Sequence, residues 1–462
     1  MSVEDNWGAI SPFNKKIFFG LFGLILALLT YFFLPESCPE AARRTLAIFI
    51  IAAFFWAFEI FEPFVTSLLI ILLLIFTLAK PDGVMGMGKT GYVTFLIPFS
   101  SPVIILFLGG FALAASLRKY KVDLFIAEKF LGNSSENPHV ILLRVILTTA
   151  FLSMWISNTV TTVIMLGILT PYFSLASLSD NFRKALILAI PFSANIGGIA
   201  TPIASPPNAI AIGILNTYGS YISFFEWMII CIPLAVILLA IEFIVLAVLF
   251  PLGNKMEKLK FSKEKLTKKG SWVLSVTFIT IVLFVSSPIH EIPEALIALL
   301  CAGILTTFGF LNRNDIKKLD WDILILMWGG LALGIAVEIS GLAHWIVSLS
   351  PLFSDKDYAI LLFSLLTITI SMFMSNTAVA SLILPVGLGI EGIDKTLFAV
   401  TIALICSIGM IFPISTPPNA LAYATGQITT KDMAKTGLLI VSISLVIILL
   451  GYHIIIPNVL AN

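Results

Sequence analysis

The sequence predicts an all-α polytopic membrane protein, and three observations support this fold class. First, 59% of the 462 residues are hydrophobic and 11% are charged, whereas soluble domains carry about 25% charged residues. Second, the apolar runs are long and continuous, as membrane helices require, rather than short and alternating as in membrane β-barrels. Third, polar motifs recur in the same order in both halves of the chain, a pattern typical of transporters.

Fourteen apolar segments are candidates for membrane elements, since one crossing takes roughly 20 apolar residues, and we expect about eleven transmembrane helices among them. The first segment follows Lys15 and Lys16 and is too long for a signal peptide, so we expect a retained helix. The apolar segments are 17–34, 45–61, 64–79, 94–116, 140–178, 184–215, 222–252, 271–287, 294–310, 321–338, 341–352, 357–390, 396–424 and 436–456.

Lysines predict the orientation of the chain. The segment 253–270 carries seven lysines, which places it in the cytoplasm by the positive-inside rule. Lys15 and Lys16 place the N-terminus on the same, cytoplasmic side. We expect the protein to reside in a bacterial-type cytoplasmic (inner) membrane. The predicted organisation is an N-terminal segment with one helix (1–40), a first repeat (41–252), the cytoplasmic linker (253–270) and a second repeat (271–462).

Three motifs occur twice at nearly constant offset. The pattern Ser-x-x-x-Ser-Asn-Thr occupies residues 153–159 and returns 218 residues later at 371–377. A Gly-Gly pair at 109–110 returns after 220 residues, and a Pro-Pro-Asn motif at 206–208 returns after 211. An odd number of crossings per repeat would invert the second repeat in the membrane, so we predict two inverted-topology repeats.

The chemistry of these motifs suits an anion accompanied by cations. Hydroxyls and carboxamides inside hydrocarbon are costly unless they bind something. Helix N-termini attract anions, and carbonyls with side-chain oxygens can surround Na⁺. Asn158 can face a cation with its oxygen and a carboxylate with its NH₂, while the Ser157 and Thr159 hydroxyls donate to carboxylate oxygens. The Pro-Pro pairs interrupt the segments 184–215 and 396–424.

Two half-sites would suit a ligand with two anionic ends. Arginines and lysines mostly fall at segment ends or in loops, so we expect co-bound cations and helix dipoles to offset the ligand's charge. A single motif of this kind is more often explained by helix packing. The symmetric recurrence of the motifs favours a binding site.

The paired motifs, with Trp56, Glu59, Pro63 and Thr66, resemble those of the divalent anion/sodium symporter family, the INDY-type transporters of dicarboxylates, citrate and related anions. The resemblance covers nearly the whole chain. It implies a homodimer in which a transport domain moves by an elevator mechanism against a scaffold domain. It also implies two re-entrant hairpins, at about 125–178 and 345–390.

The resemblance also implies the site residues. One Na⁺ would lie by Ser153, Ser157, Asn158 and the carbonyl of Ala204. A second Na⁺ would lie by Ser371, Asn376 and the carbonyl of Ser415. The residues expected to contact substrate or shape its pocket are Ser157, Asn158, Thr159, Ser205, Pro206, Ser375, Asn376, Thr377, Thr416 and Pro417.

The chain departs from the family pattern at two places. Gly167 stands where the family usually has a proline after the first Ser-Asn-Thr, whereas Pro385 keeps it in the second copy. Ala204-Ser205 replaces the commoner Gly-Thr before Pro-Pro. A carbonyl ligand survives the change from glycine to alanine, but the backbone freedom of glycine is lost.

Other chemistry-bearing patterns have simpler interpretations. Residues 83–90 satisfy the P-loop pattern, but the strand and helix that a P-loop requires are absent from the predicted fold. The four cysteines and four histidines show no metal-binding spacing. Glu242 lies in an apolar run and suggests proton coupling, although we expect it near a helix end, snorkelling or pairing at a subunit interface.

The sequence therefore predicts a secondary active transporter of C4-dicarboxylates (succinate, malate, fumarate) coupled to Na⁺. Its expected partners are the dicarboxylate, Na⁺, membrane lipid and a second copy of the chain; neither nucleic acid nor a cofactor is predicted. A sodium-independent di- or tricarboxylate exchanger of the same fold is the alternative. An anion channel is the alternative from a different class; it needs a continuous pore, whereas dead-end hairpin tips fit alternating access better. An enzyme needs a nucleophile and base or a metal cluster, and neither is legible in the sequence.

Overall fold

The computed structural model describes residues 12–81, 83–132, 135–173, 178–253, 265–349, 355–390 and 392–460. Within these ranges every regular element is helical, so the predicted all-helical class is confirmed. Most of the lysine-rich segment, residues 254–264, lies outside the described part.

The described part contains twenty-two α-helices, with short π and 3₁₀ turns between some of them. Those of the first half are α1 (Pro12–Phe33), α2 (Glu40–Ala57), α3 (Pro63–Leu74), α4 (Val93–Leu96), α5 (Pro102–Lys119), α6 (Val122–Leu131), α7 (Pro138–Ser153), α8 (Asn158–Leu169), α9 (Asp180–Gly197), α10 (Pro206–Thr217) and α11 (Phe224–Leu249).

The second half contains the other eleven helices of the described part. Its helices are α12 (Lys268–Val285), α13 (Ser287–His290), α14 (Glu294–Thr307), α15 (Arg313–Lys317), α16 (Trp321–Ile339), α17 (Leu342–Ser348), α18 (Lys356–Ser371), α19 (Asn376–Gly387), α20 (Lys395–Ser407), α21 (Pro417–Ala424) and α22 (Thr430–Leu460).

Six helical stretches of the described chain are long and apolar enough to cross a membrane. The other apolar helices are shorter, because polar or proline-containing breaks divide several of the long apolar runs. The predicted number of about eleven transmembrane helices therefore stays a prediction. The six stretches are Lys16–Phe33, Val93–Lys119, Phe224–Leu249, Lys268–Val285, Trp321–Ile339 and Thr430–Ile454.

Breaks divide the apolar runs at the predicted motifs. The run 140–178 becomes α7 and α8, joined by a turn at 154–157, and the corresponding run in the second half becomes α18 and α19, joined at 372–375. We call these helix pairs the first and second hairpins. Residues 198–205 separate α9 from α10, and residues 408–416 separate α20 from α21. We call these segments the first and second helix breaks.

Prolines begin the helices that follow the two breaks. Pro206 and Pro417 are the first residues of α10 and α21, where a backbone N–H would have no intrahelical acceptor in any case. Each Pro-Pro pair therefore ends the interruption and restarts the helix.

Close glycine contacts hold the two halves together. A Cβ on Gly109 of α5 would lie 2.5 Å from the Cβ of Ala298 in α14, and one on Gly329 of α16 would lie 2.4 Å from that of Ser67 in α3. These contacts are too close for any side chain to replace the glycine hydrogen. Each Gly-Gly helix thus packs against a helix of the other half.

Glycine contacts of the same kind pack the helices that end at the two breaks against the two hairpins. A Cβ on Gly197 at the end of α9 would lie 2.4 Å from the Ala150 carbonyl oxygen in α7. A Cβ on Gly409, in the second break, would lie 2.4 Å from the Cβ of Ser371 in α18. The hairpin tips and the helix breaks are therefore brought to the same place.

Glu242 does not snorkel or reach a subunit surface, so that expectation is wrong. Its side chain in α11 is fully buried, and its two carboxyl oxygens lie 2.8 and 2.9 Å from the hydroxyl of Ser193 in α9. The contact joins α11 to the first broken helix, which places the carboxyl inside the chain.

Candidate substrate and cation site

The tip of the first hairpin gathers oxygen atoms from three helices. Ser157 caps α8, and Asn158 is the first residue of that helix. The Ser153 hydroxyl lies 2.6 Å from Oδ1 of Asn158 and 2.7 Å from the carbonyl oxygen of Ala194. These oxygens belong to α7, α8 and α9, and hydroxyl, carboxamide and carbonyl oxygens are the kinds that ring Na⁺ in transporters.

The tip of the second hairpin has the same construction but leaves oxygens without partners. Ser375 caps α19 and accepts a hydrogen bond from the Ala378 backbone N–H at 3.4 Å. The Ser371 hydroxyl oxygen and Oδ1 of Asn376 are buried without a hydrogen-bond partner. Buried polar atoms are normally paired, so these two oxygens are candidates for ligand contact; that they hold the predicted second Na⁺ stays a prediction.

Each helix break is hydrogen-bonded to the hairpin tip of its own half. The Thr201 hydroxyl in the first break donates to the Met154 carbonyl at 2.6 Å. The Ser415 hydroxyl in the second break donates to the Met372 carbonyl at 3.2 Å. Both acceptors are the first residues of the two hairpin turns, so the contact pairs one tip with one break in each half.

The asparagine of each Pro-Pro-Asn motif holds the shape of its break. Nδ2 of Asn208 donates to the carbonyls of Gly198 and Thr201, both at 2.9 Å. Nδ2 of Asn419 donates to two carbonyls of the second break, at 2.8 and 3.0 Å. Both side chains are fully buried. The carboxamides replace the hydrogen bonds that the interrupted helices cannot make.

The two tips and the two breaks enclose one cavity of about 550 Å³, which we call the central cavity. All ten residues predicted to contact substrate or shape its pocket line it. Of the predicted cation ligands, Ala204 and Ser415 also line it, whereas Ser153 and Ser371 lie fully buried behind the tips. The structure thus places the predicted residues of both halves together; their contact with ligands stays a prediction.

Four helices begin at the central cavity. Their first residues, Asn158 of α8, Pro206 of α10, Asn376 of α19 and Pro417 of α21, all line it. A helix N-terminus carries roughly half a positive charge; α8 and α19 also present backbone N–H groups there, whereas α10 and α21 each begin with two prolines that have none. The cavity is therefore built to receive negative charge from both halves.

The side chains of the central cavity add no positive charge. Among the described residues that line it, the charged ones are Glu59 and Asp320. Burial raises the pKa of the Asp320 carboxyl, and the charge of Arg118 opposes this effect. Glu59 has a left-handed backbone with φ of 46°, a conformation that is strained for a residue with a side chain and is often found at functional sites.

Sequence reasoning missed two residues at this cavity. Asn195, near the end of α9, is 1% exposed, and its side chain hydrogen-bonds to Asn158 in the first hairpin and to Thr416 in the second break. Its signal was a single carboxamide within an apolar segment, which is costly without a partner. Asp320 carried no comparable signal, because it lies outside the repeated motifs and reaches the cavity only through the packing of α16.

An all-helical membrane chain, with matching hairpins and broken helices around one cavity, has the architecture of a secondary transporter. The profile of the citrate transporter family matches residues 53–391 and 281–462. The chain belongs to this family of transporters, and its expected kinship with the divalent anion/sodium symporters is confirmed.

The relatives that match this chain are transporters, and the matches cover nearly the whole length of both proteins. A transporter of Methanocaldococcus jannaschii is 33% identical, and the match covers 94% of this chain and 98% of the relative. The sodium-dependent dicarboxylate transporter SdcS of Staphylococcus aureus is 30% identical, with 97% of this chain and 93% of the relative covered.

Two solved structures share the fold at low sequence identity. The YdaH transporter of Alcanivorax borkumensis has a TM-score of 0.56 and 12% identity, over 96% of this chain and 97% of the other. MtrF of Neisseria gonorrhoeae has a TM-score of 0.54 and 11% identity, over 97% of this chain and 95% of the other. This likeness shows the fold of a transporter.

Replacing Asn208 by aspartate tests how the helix breaks are held. The change keeps the shape of the side chain but sets a carboxylate oxygen against the Gly198 and Thr201 carbonyls, losing two hydrogen bonds. We expect the variant to be destabilised by about 2 kcal/mol or more and to melt several degrees lower in detergent. Asn216→Asp, at an exposed position of the same helix, is the control, and equal Tm values for both variants would contradict this role.

Proposed function

We propose that this protein takes up C4-dicarboxylates together with Na⁺ by an elevator-type alternating-access mechanism. The observation that carries the proposal is the pairing of four helix N-termini with a cavity whose charged lining residues are both acidic. Such a site attracts an anion with two negative ends through backbone groups. It depends on bound cations for the charge that lysine or arginine would otherwise supply.

The charge balance favours cation coupling over simple anion binding. Four helix N-termini together contribute roughly two positive charges, which offset a dicarboxylate but not also the two acidic side chains of the cavity: Glu59, which is exposed to solvent, and Asp320, which the charge of Arg118 partly offsets. Na⁺ at the oxygen clusters behind the two tips would offset this excess. It would also link the cation to the anion, because Asn158 and Asn376 line the cavity, while Oδ1 of Asn158 contacts the buried Ser153 and Oδ1 of Asn376 is itself buried.

The proposed roles follow from the donors and acceptors available. The Ser157, Thr159, Ser375 and Thr377 hydroxyls and the two asparagine NH₂ groups would donate to the carboxylates. The name of the S. aureus relative, a sodium-dependent dicarboxylate transporter, supports both substrate and ion. The bound dicarboxylate and Na⁺ are cargo, and no enzymatic step is proposed.

The architecture supports movement of the site as one body. Both hairpins and both broken helices pack around the central cavity, while α3, α5, α14 and α16 pair across the halves through glycine contacts. We propose that the first group is the transport domain and the second belongs to the scaffold of a homodimer, within two inverted repeats. The N-terminus and the segment 253–270 would then face the cytoplasm.

A sodium-independent exchanger is a second candidate, and one observation favours it. In the first oxygen cluster the Ser153 hydroxyl can donate its one hydrogen either to Oδ1 of Asn158 or to the Ala194 carbonyl oxygen. This hydrogen bond can hold the first tip without a cation. In an exchanger, substrate on the opposite side would be required in place of a sodium gradient.

Uptake into proteoliposomes separates these two functions. We expect labelled succinate to enter vesicles that contain only buffer. The uptake rate with an inward Na⁺ gradient should be at least ten times the rate with an inward K⁺ gradient. The reason is that the cavity lacks basic side chains to balance the dianion. Uptake that ignores Na⁺ and requires internal succinate would establish the exchanger, and no succinate flux in any condition would reject the proposed substrate.

Asn158→Ala and Asn376→Ala test the assignment of the two tips. Each change removes a cation ligand and a carboxylate donor while leaving the helices intact, so we expect succinate uptake to fall to background. Both variants should elute as the unaltered protein does in size-exclusion chromatography. Asn216→Ala, at an exposed position of α10, is the matched control, and uptake at its level by either tip variant would remove that asparagine from the site.

A further inference from the structure

One carboxamide joins the two halves of the central cavity. Oδ1 of Asn195 accepts a hydrogen bond from Nδ2 of Asn158 at 3.4 Å. Nδ2 of Asn195 donates to the hydroxyl oxygen of Thr416 at 3.2 Å. Asn158 belongs to the first hairpin and Thr416 caps the helix after the second break, so the chain of contacts spans both half-sites.

This link has no counterpart in the other half. The offset of 211 residues between the two Pro-Pro-Asn motifs relates Asn195 to Cys406. Cys406 is fully buried in α20 and does not line the cavity. A thiol is a weak donor and acceptor and cannot reproduce two carboxamide hydrogen bonds. Asn195, a side chain without a counterpart in the described part of the other half, therefore connects the two halves of a nearly symmetric site.

The two Asn195 hydrogen bonds leave ligand-binding groups available on both Asn158 and Thr416. The Thr416 oxygen accepts from Asn195 and also from the Asn419 backbone N–H at 3.3 Å, so the hydroxyl hydrogen can be donated to a ligand. Asn158 uses one amide hydrogen for Asn195 and has a second. Two donors, one from each half-site, are thus held at a separation set by the Asn195 carboxamide.

We propose that Asn195 is a specificity-determining residue that sets the chain length of the dicarboxylate which the central cavity accepts. This inference rests on the proposed function, because it takes a dicarboxylate as the ligand. With the two Asn195 hydrogen bonds in place, both carboxylates of a four-carbon dianion contact their donors at the same time. Without these hydrogen bonds, the half-sites separate more freely, and the affinity of the four-carbon ligand falls relative to that of longer dianions.

Competition against labelled succinate uptake in proteoliposomes measures this selectivity. Unlabelled succinate, glutarate and adipate have four, five and six carbons with a carboxylate at each end. For Asn195→Ala we expect the half-inhibitory concentration of succinate to rise roughly tenfold, the factor carried by one or two hydrogen bonds. The values for glutarate and adipate should rise less, so that the glutarate-to-succinate ratio falls at least threefold.

Cys406→Ser is the matched control, since it alters the corresponding position of the other broken helix outside the cavity. Its glutarate-to-succinate ratio should equal that of the unaltered protein. Asn195→Ser is a second test variant, because the small hydroxyl is too short to span both partners and fits the same space. Its ratio should fall in the same direction as that of Asn195→Ala.

An unchanged ratio in the Asn195 variants would overturn the inference, since a merely structural residue would change the amount of active protein and not its selectivity. Failure of both variants to fold, seen as loss of the monodisperse size-exclusion peak, would also overturn it. Absence of dicarboxylate flux in the unaltered protein is a different result. It would reject the proposed function, and this inference with it.

Discussion

A helix that breaks inside a membrane leaves backbone N–H and C=O groups without partners, and water is not there to satisfy them. The described residues bring four such interruptions, two hairpin tips and two helix breaks, to one cavity. The carbonyl groups are partly satisfied by Asn208, Asn419 and the hydroxyls of Thr201 and Ser415. We propose that the N–H groups at the starts of α8 and α19, with the partial positive charge of all four helix N-termini, receive the anion.

The close packing around the cavity explains why the interruptions can be kept in register. Gly197 and Gly409 allow the broken helices to approach the hairpins more closely than any side chain would permit. A Cβ on Gly198 would lie 2.5 Å from Oδ1 of Asn158, so the backbone of the first break directly adjoins the tip. Such contacts leave little room for the helix breaks to move relative to the hairpin tips.

The sequence predicts much of this arrangement because its signals are local. Long apolar runs identify the helical membrane class, and Ser-Asn-Thr and Pro-Pro-Asn mark the interruptions where the ten predicted residues line the cavity. What it could not predict depends on packing between distant segments. Asp320 and Asn195 lie outside the repeated motifs, and Glu242 was expected at a surface because no sequence pattern linked it to Ser193. The limits of the transmembrane helices were blurred because apolar composition continues through the breaks.

We propose that an anion site with no basic side chain among its described lining residues depends on bound cations. The most direct measurement is the rise in Tm that succinate causes in the purified protein, followed as Na⁺ is replaced by K⁺ or choline at constant ionic strength. Since binding to the folded state raises Tm, the account predicts a succinate-dependent rise that grows with Na⁺ concentration and is absent without Na⁺. An equal rise in all three salts would contradict the claim and show that the helix N-termini bind the dianion without cations.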